Sequence, residues 1–227
     1  MAMTYEQLLR QLKAKRNPAN VAGMARFGIN PENTLGISVY DLRKMAKAIG
    51  KNHALALRLW TSGIHEARLL AVFVDEPAKV TENQMEQWAA DFDSWDVCDQ
   101  ATTSLFDQTS LAWKKANDWS SRKEEFVKRA AFAMMAGLAV HDKKAGDEAF
   151  ISLLPIIKRE AKDERNYVRK AVNWALRNIG KRNANLNKAA IRMAKAIRES
   201  DSKAARWIAA DALRELTHEK TQKRLKR

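Results

Sequence analysis

Val127-Lys128-Arg129-Ala130-Ala131-Phe132-Ala133-Met134 comes back 41 residues later as Val168-Arg169-Lys170-Ala171-Val172-Asn173-Trp174-Ala175. Both copies open with an apolar residue, two cations and an alanine. A fainter third copy, Ala212-Leu213-Arg214, follows Ala175-Leu176-Arg177 at an offset of 37. Small residues at matching positions let helices approach closely, and a period of about 40 residues is long enough for a helix–turn–helix unit.

Helical periodicity extends outward from this repeat in both directions. Segment 4–15 begins with the capping-box pair Thr4 and Gln7 and carries Leu8, Leu9 and Leu12 on one face. Segment 18–27 has Asn17 as its N-cap and Pro18 at its first position, where a missing N–H costs nothing. Further helices are expected at 38–49, 52–61, 64–74, 81–92, 94–108, 111–118, 122–140, 144–162, 164–181, 185–199 and 201–216, with Pro155 splitting or kinking the 144–162 segment. Pro31, Gly36, Pro77 and Asn183 punctuate the breaks. No segment alternates like a strand, and 8 Gly with 4 Pro are too few for an all-β chain. The period favours an all-α, HEAT-like helical-repeat solenoid over a compact bundle. It would form one domain over residues 1–216, followed by a flexible basic tail at 217–227. In such a stack Arg129, Lys170 and Trp207 fall along one edge, one per repeat.

The chain has 227 residues, 46% of them hydrophobic and 30% charged, enough apolar content to build a core. Its 41 Lys+Arg against 27 Asp+Glu leave a net charge of +14. Residues 1–120 hold 14 basic and 14 acidic side chains, and residues 121–227 hold 27 and 13, so the whole excess lies in the C-terminal half. A field this one-sided suits a polyanion such as nucleic acid, although a generally basic soluble surface also accounts for it. The single cysteine, Cys98, excludes an internal disulfide framework and fits a reducing compartment. The four histidines are scattered, so no zinc site and no cofactor are expected. With no signal-peptide pattern and no membrane-length apolar run, a cytoplasmic protein without a membrane partner is expected.

Four features can carry chemistry. In Ser94-Trp95-Asp96-Val97-Cys98-Asp99-Gln100, Trp95 and Asp99 are four apart and share a helical face. Asp96 points elsewhere and reads as a first-turn acid behind Ser94 as N-cap. An indole beside a carboxylate can flank a sugar. The alternative is a core Trp95 with Asp99 solvated or salt-bridged. Lys128-Arg129 suits a phosphate contact, or equally a bond to a neighbouring acid. Lys170, Trp174, Arg177 and Lys181 follow at spacings of four, three and four and form a basic–aromatic–basic stripe. Such a stripe lets cations hold phosphates while a ring packs on sugar or base. The alternative is a core Trp174 flanked by snorkelling cations. The tail from Lys220 to Arg227 reads as a salt-sensitive basic arm or as a solvated end that binds nothing.

These blocks together resemble the HEAT-like-repeat DNA alkylation repair proteins, the alkylpurine DNA glycosylase family, over about residues 5–215. The resemblance is carried by Asn17-Pro18, Met24-Ala25-Arg26-Phe27 and Leu35-Gly36-Ile37, by Trp95-Asp96-Val97-Cys98-Asp99, by Lys128-Arg129-Ala130-Ala131, and by Lys170 to Arg177. It implies a concave basic face that holds duplex DNA and a monofunctional glycosylase that releases cationic N3- or N7-alkylated purines. Asp99 would be the catalytic carboxylate, Trp95 and Trp174 the aromatics beside the lesion's deoxyribose, and Arg129 a backbone-phosphate contact. Phe27, Lys128, Lys170, Arg177 and Lys181 would bind DNA. The implied partner is duplex DNA carrying alkylated purines, bound by a monomer that associates with the nucleoid. Phe27 stands where active members of the family have tyrosine, so a hydroxyl is missing. This departure sustains a second reading, a non-catalytic DNA-binding module that recognises duplex shape. A protein-interaction scaffold is a third.

Overall fold

The structure, a computed structural model, describes residues 4–225, and all regular secondary structure among them is helical. The described residues form two compact units that divide between Thr109 and Ser110. The first contains α1 (Tyr5–Ala14), α2 (Pro18–Arg26), α3 (Val39–Ile49), α4 (His53–Thr61), α5 (His65–Val74), α6 (Glu82–Ala90) and α7 (Trp95–Ser104). The second contains α8 (Ala112–Asp118), α9 (Glu125–His141), α10 (Asp147–Ile151), α11 (Leu154–Glu160), α12 (Asn166–Gly180), α13 (Ala184–Arg198), α14 (Lys203–Thr217) and α15 (Glu219–Leu225).

Local signals set most helix boundaries. Thr4 and Gln7 close a reciprocal capping box, with Gln7 N–H donating to Thr4 Oγ1 at 3.3 Å and Thr4 N–H to Gln7 Oε1 at 2.8 Å. Asn17 accepts the Asn20 N–H at 3.1 Å with Pro18 in the first turn. Asn183 caps α13 through the Leu186 N–H at 2.9 Å. The expected 144–162 helix divides into α10 and α11, with Pro155 in the first turn of the second piece. The expected 94–108 helix also breaks, at Leu105, after which Phe106–Gln108 form a 3₁₀ turn. Thr102 and Thr103 donate their hydroxyls to the carbonyls of Cys98 and Asp99, and Ser104 donates to the Gln100 side chain. Back-bonding of this kind competes with a straight helical continuation.

In the first unit α5 packs between α3 and α7 and also against α4. Its core includes Trp60 stacked on Trp88, with centroids 3.9 Å apart and planes 4° from parallel, and Phe92 edge-on to Trp60. Glu66, fully buried on α5, accepts the N–H groups of Leu35, Gly36 and Ile37 at 2.8, 2.6 and 3.2 Å. Three amide donors stabilise this carboxylate away from water, and in return it fixes the segment before α3. Gly36 is required there: its φ is +83°, and a Cβ would lie 2.3 Å from the Asn17 carbonyl oxygen.

The second unit displays the repeat. α12 packs against both α9 and α14, with α13 joining α12 to α14. Val168, Ala171, Val172, Ala175, Leu176 and Ile179 make the buried face of α12. Its flank meets α14 in three rungs with one offset. The Arg169 guanidinium lies 5.1 Å from the Trp207 ring centroid, Asn173 Nδ2 donates to Asp211 at 2.7 Å, and Arg177 Nη1 donates to Glu215 at 2.6 Å. Each pair is separated by 38 residues, so α12 and α14 run parallel, one repeat apart. The edge expected to bear Arg129, Lys170 and Trp207 is uneven, because Arg129 is buried while Lys170 and Trp207 are exposed. The residues read as a flexible basic tail turn at His218 and then form α15 over Glu219–Leu225. Gln222 Nε2 donates to Asn187 Oδ1 and to the Leu216 carbonyl at 3.1 and 2.6 Å, which anchors α15 to α13 and α14. Lys226 and Arg227 lie outside the described residues.

Candidate active site and nucleic-acid interface

The first unit carries Phe27, Trp95 and Asp99. Trp95 begins α7 and Asp99 lies one turn further on, so the two share a face as their spacing requires, and both are half-buried. The Trp95 indole N–H donates to the Phe27 carbonyl at 3.0 Å. Ser94 occupies the N-cap position, but its hydroxyl accepts the Asn30 N–H at 2.9 Å instead of capping α7. Asn30 Nδ2 also reaches Asp93 at 3.1 Å. The 27–30 segment is thereby pinned to the start of α7, and the Phe27 side chain stands 75% exposed beside it. These tethers span more than 60 residues of sequence, and nothing in the local pattern announces them.

Asp96 has the structural role its position suggested, by different means. It is buried, its Oδ1 accepts the Val97 N–H at 2.9 Å, and its Oδ2 lies 2.9 Å from His65 Nε2. Burial pulls the His65 pKa down, but the hydrogen bond to Asp96 and the negative charges of Asp96, Glu66 and Asp93 outweigh it, so the net shift is upward.

The second unit carries the cations and Trp174. Arg129 is buried on α9 and donates to the Tyr167 carbonyl at 2.7 Å. Lys128 lies largely buried between Glu160 (2.7 Å) and Asp163 (3.3 Å). On α12, Lys170 is exposed and Trp174 half-buried, the stripe read from their spacing. Arg177 pairs with Glu215 at 2.6 Å and Asp211 at 3.4 Å, and Lys181 pairs with Glu215 at 2.6 Å. Burial raises the Glu215 pKa, but the bond from Lys181 and the charge of Arg177 more than compensate, leaving it lowered. Asp211 is shared further with Arg214. The acids that engage the stripe escaped the sequence reading. Asp211 and Glu215 stand 38 residues beyond Asn173 and Arg177, and following the repeat offset into α14 would have found them.

The model of the DNA alkylation repair enzyme family matches residues 8–222. The chain belongs to this family. Among its relatives, an uncharacterized protein of Listeria innocua is 25% identical over 199 residues, which cover 86% of this chain and 87% of that one. A second uncharacterized protein, from Listeria monocytogenes, is 26% identical over 130 residues, 56% of this chain and 58% of its own. A solved structure described as a new family of proteins related to the HEAT-like repeat DNA glycosylases, with affinity for branched DNA structures, superposes with a TM-score of 0.79. It covers 98% of this chain and 96% of its own at 17% identity. This likeness establishes the HEAT-like helical-repeat fold for this member of the DNA alkylation repair enzyme family. No helix among the described residues is long and apolar enough to cross a membrane.

Proposed function

We propose that the chain is a monofunctional DNA glycosylase that hydrolyses the N-glycosidic bond of cationic N3- or N7-alkylated purines in duplex DNA. The observation that carries this reading is the α7 pair: a half-buried indole fixed by the Phe27 carbonyl, with a half-buried carboxylate one turn away. The alkylated purine already bears a positive charge, so it leaves without a general acid. The C1′–N9 bond breaks with its electron pair passing to the base, and the sugar becomes oxocarbenium-like. Asp99 stabilises that cation and orients the attacking water, whose oxygen bonds to C1′ while its proton passes to the carboxylate or to solvent. In the first unit Trp95 packs on sugar and Phe27 packs without a hydrogen bond. In the second, Trp174 and the exposed Lys170 meet the DNA strand. Arg129, expected as a phosphate contact, is buried and bonded to the Tyr167 carbonyl and so supports that surface from within. Arg177, Lys181 and Lys128 contribute to DNA binding as members of ion pairs, so their charge reaches the phosphates partly offset. No cofactor is needed, and the chain works on DNA as a monomer in the cytoplasm.

The test is release of N7-methylguanine from alkylated duplex by wild type and by Asp99→Asn. Release by wild type that falls a hundredfold or more in the variant is expected, in keeping with the roughly 10²–10⁴-fold worth of a positioned acid–base group. Equal rates, or none from either protein, would reject the proposal. Phe27 in place of tyrosine favours one second reading, a non-catalytic DNA-binding module. That reading predicts salt-sensitive binding to duplex or branched DNA without base release.

A further inference from the structure

The second unit contains a cavity of about 560 Å³ where α9 and α12 end and α15 returns against them. Four cations from three segments line it: Lys143 after α9, Lys181 and Arg182 after α12, and Arg224 on α15. Two of the guanidinium groups are held by backbone carbonyls. Arg182 donates to Ala139 and Ala145 at 3.2 and 3.0 Å and lies over the Phe150 ring at 4.5 Å, and Arg224 donates to Lys181 at 3.0 Å. These bonds satisfy carbonyls at the ends of α9 and α12 and in the loop before α10, and they orient the forks without cancelling their charge. Each fork has five N–H donors, so several remain for a ligand.

Among the described residues, no carboxylate lines the cavity. The nearby acids are engaged elsewhere. Asp142 accepts from Trp113 and from the Ala145 and Lys144 amides, Asp147 from Asn183 and Asn185, and Glu215 pairs with Lys181 and Arg177. Of these, Glu215 pairs with the lining Lys181 and the Asp142 charge acts on the lining Arg182, which leaves a net surplus of about two positive charges around one open volume. A single carboxylate would leave half of that surplus unmatched, whereas two consecutive phosphates meet it and their tetrahedral oxygens fit guanidinium forks.

We propose that this cavity is a phosphate-binding site that takes the phosphodiester backbone of a DNA strand, a second grip separate from the α7 carboxylate. The inference does not depend on glycosylase activity, because it concerns undamaged DNA. It also gives α15 a purpose: its docking through Gln222 carries Arg224 to the cavity wall.

The experiment measures binding of the full chain to an undamaged labelled duplex across a salt series. Lys143→Glu with Arg224→Glu is compared with a control, Lys188→Glu with Lys195→Glu on exposed positions of α13, which makes the same change in net charge. The cavity variant is expected to bind at least tenfold more weakly near 0.1 M salt. Its log K against log salt slope should be shallower by about 1.8, about 0.9 for each phosphate no longer neutralised. The control should change much less, and Lys143→Arg with Arg224→Lys should keep the wild-type slope. Equal losses in the cavity variant and the control, or no loss in either, would overturn the site. Inorganic phosphate titrated by NMR against the lining backbone amides separates the source of the anion. Shifts that vanish in the cavity variant while its duplex slope is unchanged would overturn the assignment to a DNA strand.

Discussion

Asp96 and Asp99 are three residues apart on α7 and meet opposite surroundings. Asp96 is buried against His65 and caps its own first turn, while Asp99 is half-buried on the face shared with Trp95. Spacing alone separated them, since an acid in the first turn of a helix has a ready structural use. It could not supply His65, which reaches Asp96 from a different helix. Because the folded His65 pKa lies above its ordinary value, the stability it lends is whole below about pH 6.5 and is lost as pH rises through the folded pKa. Melting temperature measured from pH 6 to 9 should therefore fall more in wild type than in His65→Gln, and parallel curves would count against the pair. His65→Ala should cost about 3 kcal/mol near pH 6, since it strands a buried carboxylate. Chemical denaturation measures this directly.

The elements were mostly legible because their signals are local: the Thr4–Gln7 capping box, Asn caps and Pro155 act within a turn of the boundaries they set. The stripe on α12 was legible as a face, but its partners Asp211 and Glu215 were not, since they lie on another helix. Glu215→Gln releases Lys181 and leaves Arg177 paired with Asp211 alone. On the DNA-binding reading it should tighten duplex affinity severalfold and steepen the salt slope by up to about 0.9. The stability cost should be no more than about 1 kcal/mol for this partly exposed pair. Unchanged or weaker binding would mean that these cations do not face phosphate. Close helix packing also explains Gly180, where an added Cβ would lie 2.7 Å from Leu216 Cδ2 and 2.8 Å from the Ala190 Cβ. Gly180→Ala should destabilise by about 1–3 kcal/mol in a urea titration, the usual cost of overpacking.

For the molecule as a whole, the charge division between residues 1–120 and 121–227 was visible in the sequence, but the anchoring of the C-terminal residues was not. Lys220, Lys223, Arg224 and their neighbours look like a loose basic arm in composition, yet Gln222 ties α15 to the buried Asn187, which itself donates to the Gly180 and Leu216 carbonyls. A chain ending at residue 218 should lose stability of about 1–2 kcal/mol along with DNA affinity, because buried polar groups lose partners. A loose arm would lose affinity alone, so the urea midpoint of the truncated chain distinguishes the two.

The three rungs between α12 and α14 also give the second unit a mechanical grain. Tension applied along these parallel helices loads Arg169–Trp207, Asn173–Asp211 and Arg177–Glu215 together, and all three must yield at once. Tension that lifts α14 away from its C-terminal end breaks them singly, with Arg177–Glu215 first. The seam is stiff to shear and weak to peeling, so a machine that unfolds the chain from its C-terminus pulls in the compliant direction.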